Sequence, residues 1–194
     1  MKIILKSFQP TILSACLTVA LTAGLLSTTV SAATQTTKSS EVRAAQTSKI
    51  SLKQAIKIAN KKALGTLISA EFDNNDDKAQ GGVYEIEFST ESQNYEIKVD
   101  ANTGKIITIE TGRLDSGDVA DYKTLKQANF NIMKAMSIAE KKTGGRVIEI
   151  EFKNDRDYND HTSYYEIEML KEDHIVELNV NANTGEIFNS KVKK

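Results

Sequence analysis

Reactive side chains are scarce in this chain. Among 194 residues the one cysteine is Cys16, so no intramolecular disulfide can form. Histidine occurs twice, as His161 and His174, and a Ser-His-Asp set could be built only around those two. Neither Gly-x-Ser-x-Gly nor His-Glu-x-x-His occurs, which removes the usual templates of a serine hydrolase and a zinc peptidase. Both histidines fall in or beside expected hairpin loops without partners at useful spacing, so they are read as exposed loop residues. Clustered Lys and Arg are also missing: formal net charge is -1, and phosphate binding needs a basic patch. Nucleic acid is therefore not an expected partner. The expectation is a protein that is not an enzyme, with no catalytic, cofactor-binding or metal residue assigned.

What the N-terminus holds is an export signal in form. Lys2 and Lys6 precede an apolar run from Thr11 to Leu26, and Val30-Ser31-Ala32 offers small residues for cleavage before Ala33. Residues 1–32 are read as a signal peptide, whose removal would move the net charge to -3 because Lys2 and Lys6 leave with it. A retained anchor is the alternative, although the run is short for a span and broken by Thr and Gly. Lipidation is another, since Leu13-Ser14-Ala15-Cys16 has lipobox form, but Pro10 interrupts the apolar segment before it and the apolar run continues past Cys16. Without the leader, no cysteine remains. Localisation is expected to be extracytoplasmic, secreted or periplasmic.

The rest of the chain is written twice. Ile50 to Phe72 aligns without a gap on Phe130 to Phe152, and Tyr84-Glu85-Ile86-Glu87 then answers Tyr165-Glu166-Ile167-Glu168 after one extra residue. Ala101-Asn102-Thr103-Gly104 returns as Ala182-Asn183-Thr184-Gly185. A period of roughly 80 residues is too long for a solenoid unit, so two small domains from a duplication are expected. Each is close to the lower size limit for independent folding, and packing of one against the other is expected to help.

Each copy has the same grammar. Ser51 with Gln54 forms a capping-box pattern, and Leu52, Ala55, Ile56, Ala59 and Ala63 follow at helical spacing until Gly65. Asn131 takes the cap position in the second copy, with Ile132, Ala135, Met136 and Ala139 on the stripe and Gly144-Gly145 at the stop. The period then changes to two: Ile68, Ala70, Phe72; Tyr84, Ile86, Phe88; Tyr95, Ile97, Val99; and in the second copy Ile148, Ile150, Phe152; Tyr165, Ile167, Met169; Val176, Leu178, Val180. Short polar connections imply antiparallel neighbours. After each Asn-Thr-Gly turn, Ile106-Ile107 and Ile187-Phe188 are candidates for a short final strand.

The expected fold is α+β: two tandem small domains, each one helix packed on a three- to four-stranded antiparallel sheet. Residues 33–48, rich in Thr, Ser, Ala and Gln, are read as a flexible tether, 49–111 as the first domain, 112–129 as a linker and 130–194 as the second domain. Within the linker a short helix from Val119 to Ala128 is allowed for.

This combination resembles the PepSY domain, whose closing signature is an apolar strand running into Asp-Ala-x-Thr-Gly-Lys. Here that signature stands as Asp100-Ala101-Asn102-Thr103-Gly104-Lys105, while the second copy has Asn181 for the acid and Glu186 for the lysine. If the acid caps the turn, Asn serves as well. The family occurs in propeptides of secreted metallopeptidases and in bacterial envelope proteins. The resemblance implies a stand-alone tandem protein that binds a secreted or envelope peptidase as an inhibitor or regulator. With no peptidase domain following, restraint would act on a separate protein.

Two acidic constellations remain. Asp155, Asp157 and Asn159 match positions one, three and five of a calcium loop, with Glu166 at twelve, but Asp160 stands where Gly belongs. Acidic, Asn-rich hairpin turns explain the same letters, so an envelope structural or sensory module binding calcium or another small ligand is the alternative function. Glu85 with Glu87, and Glu166 with Glu168, alternate with apolar residues and are expected to form a solvated outer face.

Overall fold

The computed structural model describes residues 40–76 and 79–193. The expected leader at 1–32, with Cys16, and residues 33–39 lie outside the described residues. Four helices and eight strands follow in the order α1 (40–47), α2 (Leu52–Ala59), β1 (Thr66–Asp73), β2 (Val83–Ser89), β3 (Gln93–Asp100), β4 (Ile106–Arg113), α3 (Ser116–Gln127), α4 (Ile132–Thr143), β5 (Arg146–Asn154), β6 (Ser163–Lys171), β7 (His174–Asn181) and β8 (Ile187–Val192).

Both repeat helices start where their caps place them. The Ser51 side chain accepts from the Gln54 amide while Gln54 returns a bond to Ser51 N, and Asn131 Oδ1 accepts from Lys134 N at 3.0 Å. Gly144 closes α4 at φ 71°, in the left-handed region that glycine enters without a Cβ penalty. After β3 the Asp100 carboxylate accepts from the amides of Asn102 and Thr103, and Asn181 Oδ1 accepts from Asn183 and Thr184 in the same way. The acid-to-amide difference between the repeats thus leaves the turn intact.

The expectation of two separate sheets is corrected. All eight strands form one antiparallel sheet in the order β4-β3-β2-β1-β5-β6-β7-β8. β1 and β5, the first strand of each repeat, pair through Ser69↔Glu151, Ala70↔Ile150 and Glu71↔Glu149. In the gapless repeat alignment Ala70 corresponds to Ile150, so an approximate two-fold axis passes through that pair. The apolar stripes of α2 and α4 lie on the same sheet face and feed a single buried cluster that includes Leu52, Ile56, Ile86, Ile97, Ile132, Met136, Ile150 and Ile167. Full burial of each such aliphatic side chain stabilises by about 1.5–3 kcal/mol, so the shared core binds the halves more firmly than the short β1–β5 ladder does. Lys53 on α2 reaches Glu140 on α4 and donates to Ser137 Oγ at 3.2 Å.

The segments read as a flexible tether and as a linker with room for a short helix both hold helices. Residues 40–47, within the stretch read as a tether, form α1 and bury Ala45 completely. The stretch read as a linker holds α3, which begins at Ser116 because Asp115 and Asp118 make a capping box, three residues before the short helix allowed for. Its Leu125 is buried in the same core. Ala45 and Leu125 are one repeat apart, so α1 and α3 are counterparts, and each links the two repeats: α1 accepts from Asn74 Nδ2 through Ser40 Oγ at 3.5 Å and donates to the Glu172 carbonyl through Gln46 Nε2 at 2.6 Å, and α3 touches both β1 and β5. The strand after each Asn-Thr-Gly turn is longer than a brief extension, with β4 running from Ile106 to Arg113. No helix among the described residues is long and apolar enough to cross a membrane.

Candidate functional site: the carboxylate face

Opposite α2 and α4, the sheet carries two cross-strand ladders. The first runs Glu110, Glu96, Glu87, Ser69, Glu151, Glu166, Asn179, Asn189 from β4 to β8, each residue directly paired with the next. The second runs Thr108, Lys98, Glu85, Glu71, Glu149, Glu168, Glu177, Lys191 across the same strands. The two-fold axis exchanges them: read backwards, one is the repeat counterpart of the other. Directly opposed side chains stand about 4.5–5.5 Å apart at Cβ, and like charges at that range are destabilising. The face is therefore held together against its own repulsion.

The pKa directions follow. Surrounding protein, then Glu149, Glu85, Asp73 and Glu87, push the Glu71 carboxyl up to about 8, and burial with Glu96 takes Glu87 up to about 6. Glu71 stays open to water, so solvent screens part of that repulsion. Burial also raises Glu149 and Glu166, the latter reinforced by Glu177. The expected solvated face is thus corrected in part: Glu168 is 5% and Glu177 4% exposed, and they survive there by pairing with Lys193 and Lys191. Glu85, Glu87 and Glu166 are half-buried.

In the first repeat one cation organises the acids. Lys98 Nζ lies 3.0 Å from Asp76 and 3.8 Å from Glu96 and also pairs with Glu85. Burial opposes its charge, but the hydrogen bonds it donates to Glu85 and Asp76 outweigh burial and hold its pKa above the ordinary lysine value. Asp73, Asp76 and Glu85 bring carboxylate oxygens within 4.8 Å of one another, spacing that could hold a metal ion, yet the Lys98 ammonium already sits against two of them. This group was missed from sequence, although Lys98 alternates with Ile97 and Val99 and so had to face the same side as Glu85.

Among the described residues, those of the alternative calcium-loop match form no metal-ligating group. Asp155 accepts the Tyr164 hydroxyl at 3.1 Å and the Asp157 amide at 3.1 Å, while Glu166 lies within β6 and belongs to the ladder. His161 stacks on Phe188 with centroids 3.9 Å apart and shares a 2.9 Å hydrogen bond with Asn181; His174 lies 3.3 Å from Asp173. The two histidines are at opposite ends of β7, where no shared site forms between them. A cleft of about 160 Å³ opens where α3 passes the sheet, lined by Ser69, Glu87, Glu151, Asp118, Asp121 and Tyr122 among others.

Residues 49–110 and 134–191 each match the family model of PepSY, described as the peptidase propeptide and YPEB domain. The chain belongs to the PepSY family. Its two PepSY copies account for the doubled helix-and-meander unit and supply all the strands of the sheet. A crystal structure of a candidate lipoprotein from Clostridium difficile 630 is similar at 24% identity and a TM-score of 0.44, covering 77% of this chain and 97% of that one. The YpeB C-terminal domain of Bacillus megaterium is similar at 20% identity and a TM-score of 0.29, over 76% of this chain and 67% of that one. No curated protein matches.

Proposed function

We propose that this PepSY protein is an extracytoplasmic, non-catalytic module that binds a peptidase and inhibits or regulates it. The carrying observation is the family match in both repeats. A signal-peptide-like N-terminus supports export, and the thin inventory of nucleophiles and bases supports binding without chemistry.

The sheet offers a route to a substrate groove. β4 is an edge strand paired only with β3, and Ile106–Arg113 contains neither Pro nor Lys, the residues that usually block strand addition. Ile109 on this strand is 47% exposed. An extended segment of a peptidase can add to this edge through main-chain hydrogen bonds, with Ile109 as the side-chain contact. The β8 edge carries Lys191 and is the less open of the two.

The test is activity of secreted metallopeptidases from the same source with and without the purified protein. Inhibition that is lost in Ile109→Lys, with the fold retained by circular dichroism, supports the reading. Absence of inhibition together with absence of a complex in pull-down overturns it.

A further inference from the structure

Lys98 and Asn179 occupy the same place in the two repeats, so the ammonium carried by β3 has no counterpart on β7, and the second half of the carboxylate face draws its cations from Lys153, Lys191 and Lys193 instead. Lys98 is flanked by Glu85 across the ladder and Glu96 on its own strand. Their counterparts Glu166 and Glu177 are kept beside Asn179. Asn179 is 0% exposed, and among the described residues neither its Oδ1 nor its Nδ2 has a hydrogen-bond partner. A buried amide left unpaired is costly and calls for a partner that supplies donors or acceptors. Lys153 and Lys191 bond Glu151 and Glu177, whereas no described residue forms a hydrogen bond or ion pair with Glu166.

We propose that the β6–β7 surface around Asn179 binds an alkylammonium group, from a lysine side chain of a partner protein or from a free di- or polyamine, in the position that the Lys98 side chain takes in the first repeat. The chemistry is matched. A primary ammonium has three N–H donors, and the acceptors at hand are the Glu166 carboxylate, Asn179 Oδ1 and, once Lys191 moves aside, the Glu177 carboxylate. A divalent cation fits less well: calcium takes six or more oxygens, and among the described residues the only triad of acids at metal-ligating spacing is Asp73, Asp76 and Glu85. Entry is from the β8 side, where the covering Lys191 and Lys193 side chains, 57% and 38% exposed, pair with Glu177 and Glu168 and would have to swing aside. This site stands on the comparison of the repeats and does not depend on the peptidase reading.

The test uses the purified protein without any peptidase. Cadaverine, spermidine and a blocked Gly-Lys-Gly peptide are each titrated against sodium chloride of equal ionic strength and against calcium chloride, reading melting temperature and the Asn179 side-chain amide signal by NMR. A saturable shift with an amine supports the site. A response to the free amines alone assigns a small-molecule ligand, and a response that includes the peptide assigns a partner's lysine. Asn179→Lys, which supplies the ammonium internally, is expected to melt higher and to lose the amine response, and Glu166→Gln to weaken amine binding by roughly tenfold or more. Overturning results are an amine effect no larger than sodium chloride gives, a response to calcium alone, or an amine response undiminished in Asn179→Lys. Should that variant fail to fold, Glu166→Gln decides alone, and full retention of the response overturns the site.

Discussion

Ala70 in β1 stands directly across from Ile150 in β5, and each is the other's counterpart in the repeat. Both are fully buried beneath the helices. One residue further along, Glu71 opposes Glu149 on the other face. The seam between the halves is therefore sealed by apolar packing on one side and pushed apart by charge on the other. Since only three residue pairs join β1 to β5, the seam depends on the core above it, where Lys53 and Glu140 also tie α2 to α4.

One cooperative unit is the consequence. The protein is expected to unfold in a single calorimetric transition, with calorimetric and van't Hoff enthalpies equal. Ala70→Asp would bury a carboxylate under both helices, lower stability by about 3 kcal/mol or more, and melt the two repeats together. Two resolved transitions, one unchanged by the substitution, would show that the repeats fold independently.

Acid should stabilise the seam. The Glu71 pKa is raised from 4.5 to about 8 in the folded chain, so between those values the folded state holds more protons than the unfolded one and stability falls as pH rises. Glu87, raised to about 6, adds to the slope at its lower end. Asp100 is held below its ordinary value because the Thr103 and Asn102 amides outweigh its burial, so its contribution is lost only at lower pH and lies outside this window. Melting temperature is expected to drop from about pH 5 to about pH 8, and Glu71→Gln to flatten the drop. At the alkaline end the variant should gain up to about 1 kcal/mol, a modest figure because water reaches Glu71. A wild-type melting temperature that climbs over this range, or a Glu71→Gln profile parallel to wild type, contradicts the repulsion.

Much of this architecture was legible because local rules and repetition agreed. Ser51-Gln54 and Asn131 marked the helix starts, and alternation at Tyr84, Ile86, Phe88 and at Tyr165, Ile167, Met169 marked strands with the correct face inward. The joined sheet was not legible, since pairing of β1 with β5 uses the same alternation any edge strand would show. α1 was hidden, and α3 only allowed for as a shorter helix, for a different reason. They bury mainly Ala45 and Leu125, so no apolar stripe announces them, and only the spacing of Asp115 and Asp118 signalled the start of α3. Burial of Glu168 and Glu177 comes from neighbouring strands and from Lys191 and Lys193. Such burial is a property of the assembled face and has no signature in the alternating letters.

The two equivalent turn glycines should respond unequally. Gly104 and Gly185 have φ of 70° and 73°, so alanine is strained at both by about 1–2 kcal/mol. A Cβ at Gly185 would also come 2.6 Å from the Phe130 ring, whereas at Gly104 the nearest atom is Ile58 Cδ1 at 3.1 Å, the end of a flexible side chain. Gly185→Ala is therefore expected to cost roughly 1–3 kcal/mol more than Gly104→Ala, through displacement of the aromatic ring. Urea titration of both variants checks this; equal midpoints would mean that Phe130 relaxes freely.

Removing the cation of the first repeat gives the sharpest readout. Lys98→Met keeps the aliphatic stem but leaves Asp76, Glu85 and Glu96 without the ammonium that now pairs with them. Breaking a partly buried ion cluster from one side weakens the compensation of its carboxylates, so a loss of about 2–4 kcal/mol near neutral pH is expected. The loss should shrink on acidification, as protonation removes the repulsion that Lys98 had offset. Millimolar calcium should also restore part of the stability of Lys98→Met, because the oxygens of Asp73, Asp76 and Glu85 lie within 4.8 Å of one another and the ammonium no longer competes with calcium for them, while leaving the wild type unmoved. Calorimetric scans of both proteins with and without calcium decide the matter. Equal calcium response in the two would show that the Lys98 ammonium does not compete for those carboxylates.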